Sequence, residues 1–165
     1  MLSVKTYQVG RWTVPAVGFE PEDLRLTFVV NGVVGNSVTT SPSGRKRLTE
    51  WKVAVARAAI KARGMSPLDP TWTYTVSAGF SFNVAAHGSQ PLDVENFLKP
   101  TFDALAAGLF CDSGQDPRAI ERFNFDDSGF RYLFVHRLAD ALDIGQEGVA
   151  IVLSIRKGDA TSLGF

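Results

Sequence analysis

The sequence predicts an α+β domain, a mixed β-sheet with helices packed on one face, and three observations carry that expectation. Two stretches place apolar residues at helical spacing, four are rich in β-branched and aromatic residues, and along the chain they fall in the order β-α-β-α-β-β. With 165 residues, 45% of them hydrophobic, the chain can bury a real core, so residues 1–165 are read as one domain.

Residues 24–34, Leu-Arg-Leu-Thr-Phe-Val-Val-Asn-Gly-Val-Val, read as a strand entering a glycine turn, and a polar loop from Gly35 to Gly44 follows. From Thr49 the period changes. Trp51, Val53, Val55, Ala56, Ala59, Ile60 and Ala62 form one apolar side of a helix, with Lys52, Arg57 and Lys61 towards the other. Gly64 is its stop and Pro67 lies just beyond. After a turn-rich segment over 66–70, residues 72–86 give the cleanest strand signal, because Trp72, Tyr74, Val76, Ala78, Phe80, Phe82 and Val84 lie two apart. His87-Gly88-Ser89-Gln90-Pro91 breaks it. A second helix is predicted over 96–107, anchored by Phe97, Leu98, Phe102 and Leu105. Pro100 is expected in its first turn, where a missing N–H costs little. Residues 112–124 read as an irregular excursion with one helical turn, 130–137 and 148–155 as strands, and the tail 157–165 as irregular. His136, inside a strand, is read as a structural residue and not as a catalytic base.

Composition narrows the function classes. No run approaches the roughly 18–20 apolar residues of a bilayer crossing, and the N-terminal MLSVKTYQVGRW lacks the apolar core of a secretory signal, so a soluble, cytoplasmic protein with no membrane partner is expected. A lone cysteine, Cys111, cannot build a disulfide framework or a Cys-based zinc site within one chain; in Gly108-Leu109-Phe110-Cys111 it is read as a small buried hydrophobe. Seventeen basic and seventeen acidic residues balance, which counts against nucleic-acid binding, since phosphate contacts usually leave a basic excess, but does not exclude a local patch. The candidate patch is Arg45-Lys46-Arg47, followed at helical spacing by Lys52, Arg57, Lys61 and Arg63; a solvated helix face is the alternative.

The chemistry-bearing run is Asp93-Val94-Glu95-Asn96-Phe97-Leu98-Lys99-Pro100-Thr101-Phe102-Asp103-Ala104-Leu105, where a strand has ended and a helix begins. Two carboxylates two residues apart at such a junction can converge on a hard divalent cation and leave positions open for water and a phosphate. Helix capping is the competing role. A second acidic pair, Asp126-Asp127, stands just before a predicted strand, where an ordinary turn is the alternative.

Together these elements resemble the RusA-type Holliday junction resolvases, which carry Asp-x-Asp-Asn-Leu-x-Lys leading into a helix reading Asp-Ala-Leu, then a hydrophobic stretch ending in Asp-Asp at the start of a strand. Here the matching residues are Asp93 to Lys99, Asp103-Ala104-Leu105 and Phe123-Asn124-Phe125-Asp126-Asp127, and the resemblance covers about residues 24–155. Three departures stand out. Glu95 replaces the usual Asp, an insertion over 109–125 lengthens the spacing, and the loop before the motif holds only His87 where family members can be Arg-rich. Asp112 is followed by Ser-Gly and no strand, so the ligand role goes to Asp127.

The resemblance implies a homodimeric, Mg²⁺-dependent endonuclease of DNA recombination and repair that resolves four-way junctions, with Mn²⁺ as a candidate substitute ion; a related nuclease on other branched DNA is an alternative. It implies Asp93, Glu95 and Asp127 as metal ligands, Asp126 as an outer or orienting carboxylate, and Lys99 as the group that stabilises charge on the phosphate. Arg45, Lys46, Arg47, Lys52 and Asn36 are the expected DNA contacts. A related nuclease acting on flapped DNA or RNA, or a non-catalytic DNA-binding protein of the same fold, would share these features.

Overall fold

A computed structural model of the chain describes residues 1–20, 23–83, 87, 93–111, 129–137 and 147–157. Among them run β1 (Leu2–Val9), β2 (Trp12–Phe19), β3 (Leu24–Asn31), α1 (Pro42–Arg63), β4 (Thr73–Ser81), α2 (Glu95–Phe110), β5 (Phe130–Arg137) and β6 (Gly148–Arg156). The architecture is α+β. Four strands form a mixed sheet in the order β3-β6-β4-β5, with β4 and β5 parallel and the other pairs antiparallel.

Alternation along β4 gives that sheet two unlike faces. Tyr74, Val76, Ala78 and Phe80 join Val149, Ile151, Leu153 and Ile155 of β6 in the main core, which the helices close with Trp51, Val55, Ala59, Phe97, Leu105 and Leu109. The opposite positions include Ser77, Ala150, Val152 and Ser154. A hairpin made of β1 and β2 lies directly on them. Trp12, Val14 and Ala16 bury against Ala150 and Val152, and the Val17 N–H donates to Ser77 Oγ at 2.9 Å. The hairpin closes through Gly10-Arg11, with Gly10 at φ 62° as a two-residue turn of this kind requires. No strand is expected before residue 24 in the sequence reading, although Trp12, Val14 and Ala16 of β2 lie two apart; β1 is exposed along most of its length.

Helix α1 begins at Pro42, ahead of the expected Thr49. Ser41 accepts the Gly44 N–H on its side-chain oxygen at 3.1 Å, and Pro42 occupies the first turn, where no N–H is needed. The basic triplet is therefore helical. Helix α2 runs from Glu95 to Phe110, beyond the expected 96–107, so Leu109 and Phe110 complete a helix and do not open an insertion. Pro100 stands in its second turn, not its first. The carbonyl that Pro100 cannot satisfy, that of Asn96, instead accepts the Ser37 N–H at 2.9 Å.

The two helices run side by side in the same sense. Trp51 Nε1 donates to Thr101 Oγ1 at 2.9 Å, Gly108 abuts Ala56 and Ala59, and Arg63 donates to the Gly108 and Cys111 carbonyls at 2.7 and 2.6 Å. Strands β3 and β4 stop at Asn31 and Ser81, short of the expected 34 and 86. Expectations for 84–86, 88–92, 112–128 and the tail beyond Lys157 fall outside the described residues. No helix among the described residues is long and apolar enough to cross a membrane.

Candidate functional site

One end of the four-stranded sheet is marked by Asn31, Ser81, Arg137 and Gly148, where β3, β4 and β5 finish and β6 begins. Both helices start at this end. The loop after β3 lies between them, with Gly35 against Leu48 and Trp51 of α1 and Ser37 bonded to Asn96 of α2. The carboxyl ends of neighbouring parallel strands, with a helix entering there, are where open sheets commonly hold ligands.

Asp93 and Glu95 occupy the corner where the chain enters α2, and both are exposed. Asp93 Oδ1 accepts the Glu95 N–H at 3.2 Å, and the Asp93 carbonyl accepts the Asn96 N–H at 3.1 Å. One Asp93 oxygen thus satisfies a first-turn N–H, although the cap residue is Val94 and carries no side-chain cap bond. Lys99 follows Glu95 by four residues, so it shares that helix face; it is 74% exposed and pairs with Asp103 at 3.3 Å.

Asp126 and Asp127 lie outside the described residues. Cys111 and Gly129, the described residues on either side of that stretch, are both at the end of α2 away from Glu95, with Gly129 packed on the Phe110 ring. Among the described residues no three His, Cys, Asp or Glu side chains gather as a metal site. The corner offers two hard oxygen ligands. Mg²⁺ keeps several waters and commonly takes one or two carboxylates plus a phosphate, so this donor set suits it.

The basic residues divide. Arg45, Lys46 and Arg47 are exposed on the first turns of α1, where Lys46 lies 3.9 Å from Glu50. Lys52 is half-buried, while Arg57 and Lys61 are exposed. An open groove of about 470 Å³ follows this face, lined by Lys46, Thr49, Glu50, Val53, Ala54 and Arg57. Arg63 does not belong to the surface set, because its guanidinium holds the α2 carbonyls. Asn36 is buried, and its Oδ1 accepts the Val38 N–H at 2.9 Å, so it shapes the loop beside α2 more than it presents an amide to solvent. Cys111 is half-buried against Ala56 and Ala107, and burial pushes its thiol up despite the nearby Arg63 charge.

Two residues at this end escaped the sequence reading. Arg137 ends β5 with its guanidinium 5.8 Å from the centre of the Phe82 ring, adding an exposed positive charge at the sheet end. A basic residue closing an apolar strand was its only signal. Glu147 is buried just ahead of β6, where its carboxylate meets the Val34 N–H at 2.9 Å, the Asn83 N–H at 3.0 Å and His87 Nε2. No local motif announces it. Set against family models, curated proteins and solved structures, the chain matches none.

Proposed function

We propose that this protein is a RusA-type, Mg²⁺-dependent endonuclease that resolves Holliday junctions in DNA recombination and repair, working in the cytoplasm as a homodimer. The observation that carries the reading is the pair of exposed carboxylates, Asp93 and Glu95, at the corner of α2. They lie at the sheet end from which both helices start and where α1 presents Arg45, Lys46 and Arg47. An anionic, metal-attracting corner beside cations suits a phosphodiester, whose charge must be drawn in and then tolerated as it grows.

Asp93 and Glu95 would hold the ion, and the resemblance adds Asp127, which would have to reach this corner from beyond Gly129 at the far end of α2. When bound, the ion supplies Lewis-acid polarisation of the scissile phosphate and a water acidified towards hydroxide. The chain's own groups do the rest. Lys99, on the Glu95 face, is free to exchange its exposed Asp103 pair, worth no more than about 1 kcal/mol, for a non-bridging phosphate oxygen. Asp126 orients the site as an outer carboxylate. Arg45, Lys46, Arg47 and Lys52 anchor duplex arms through phosphates and fix register, not sequence. A two-fold dimer would supply two such sites to the two symmetry-related strands of a junction.

The test is cleavage of a synthetic four-way junction in Mg²⁺, alongside flapped DNA, RNA and linear duplex. Asp93→Asn and Asp127→Asn are expected to abolish cleavage while binding is kept or tightened, since each removes repulsion from phosphates. Binding without cleavage by the wild-type protein would favour a DNA-binding role, and preferential cleavage of flaps or RNA would move the substrate. If Asp127→Asn keeps full activity and Asp112→Asn loses it, the ligand is Asp112.

A further inference from the structure

The side chains of Glu147 and His87 are 5% and 6% exposed, and together they tie four separate segments to the sheet end that carries Asp93 and Glu95. Glu147 Oε1 accepts the Val34 N–H and Oε2 accepts the Asn83 N–H, so both carboxyl oxygens hold backbone donors. His87 Nε2 is in contact with the same Oε1. The backbone carbonyl of Glu147 accepts a further bond from the Gly32 N–H at 2.9 Å. One residue thus receives the loop after β3, the end of β4 and the chain leading to Asp93.

The other end of this assembly is α2. The His87 ring meets the Phe97 ring edge-on at 5.4 Å and the Phe82 ring at 6.1 Å, while Phe82 and Phe97 pack at 4.9 Å. Phe97 is fully buried two residues beyond Glu95, and the neighbouring Asn96 carbonyl holds Ser37. From these contacts we infer that Glu147, acting through His87, is a positioning residue that sets the Asp93–Glu95 corner and the 32–37 loop in one fixed relation. The inference rests on the metal-dependent reading of that corner. An isolated carboxylate in this apolar setting would be costly, and its three partners offset that cost; such expense is characteristic of a group that fixes geometry. Groups that orient ligands from behind typically change metal affinity by about 10- to 100-fold when removed.

Three variants and two readouts test this. His87→Ala removes the ring and its contact with Glu147; His87→Gln keeps an N–H donor at nearly the same reach; Glu147→Gln sets an amide N–H₂ against a backbone N–H. The first readout needs no metal: amide hydrogen exchange at Ser37, Asn96, Phe97 and Leu98. Exchange there is expected to quicken about tenfold or more in His87→Ala, with β6 and the middle of α1 still protected, and to return towards wild type in His87→Gln. The second readout is Mn²⁺ affinity by titration, expected to weaken about tenfold in His87→Ala and Glu147→Gln and to recover in His87→Gln.

Unchanged exchange at the four amides in His87→Ala overturns the inference, as does a uniform loss of protection that His87→Gln does not repair. So does wild-type Mn²⁺ affinity in a folded Glu147→Gln. If Glu147→Gln fails to fold, the histidine pair of variants decides. A wild-type protein that binds no Mn²⁺ refutes the metal reading instead, and the exchange readout still tells whether Glu147 and His87 position the corner.

Discussion

At the scale of single residues, what was legible was what is local. Asp93, Glu95 and Lys99 fall within seven positions, but their order alone was equally a helix cap, and the ligand and phosphate roles came only from the resemblance. Glu147 was not legible, because its partners Val34, His87 and Asn83 lie 113, 60 and 64 residues away and only folding brings them together. Replacing Lys99 by Ala should lower junction cleavage by about a hundredfold while leaving the folded state intact, because its surface pair with Asp103 contributes little to stability. Thermal unfolding run beside the cleavage assay separates the two effects.

Cys111 gives a second residue-level test. Burial raises its thiol pKa, so less thiolate is present at a given pH, and alkylation by iodoacetamide at pH 8 should be slower in native protein than in urea. The sign for stability follows: the fold favours the protonated thiol. That contribution is full below the unfolded value of about 8.5 and is lost as pH rises through the higher folded value. Equal alkylation rates in native and denatured protein would contradict this placement.

Among the elements, period did most of the work. β4, α1 and α2 were legible from spacings of two or of three to four, and β3, β5 and β6 as short runs rich in β-branched and aromatic residues. The hairpin was missed, although Trp12, Val14 and Ala16 of β2 lie two apart; its other strand, β1, is mostly solvated. Pro100 was placed a turn too early because the partner that takes up its orphaned carbonyl, Ser37, is remote in sequence.

The helix pair should be sensitive at two points. A Cβ at Gly108 would come within 2.5 Å of the Ala56 carbonyl oxygen, a backbone atom that cannot swing away, so Gly108→Val should destabilise by about 1–3 kcal/mol in urea unfolding. Arg63→Ala should cost about as much, by stripping charged donors from the Gly108 and Cys111 carbonyls at the end of α2. A neutral effect of both would mean that the two helices do not meet as described.

For the molecule as a whole, a chain of zero formal charge can still bind DNA if its cations are segregated, and α1 exposes Arg45, Lys46, Arg47, Arg57 and Lys61. Junction affinity should fall with salt at a log-log slope of about −0.9 per phosphate contact. Arg45→Ala with Arg47→Ala should weaken binding and flatten that slope by about one to two units. An unaltered slope would leave α1 a merely solvated face and move the DNA surface, with Arg137 the next residue to replace. Fold class was legible in the sequence at this scale because two helices and a mixed sheet need only binary patterning. Whether the acidic elements converge was not legible, because Asp126 and Asp127 lie more than thirty positions along the chain from Asp93 and Glu95.

That convergence is the point on which the metal-dependent nuclease stands or falls, and anomalous diffraction from a crystal of the protein soaked in Mn²⁺ reads it directly. The expected result is one strong peak about 2.1 Å from carboxylate oxygens of Asp93, Glu95 and Asp127, with water or a phosphate completing its shell. No peak at the α2 corner, or an ion held there without Asp127, would contradict it.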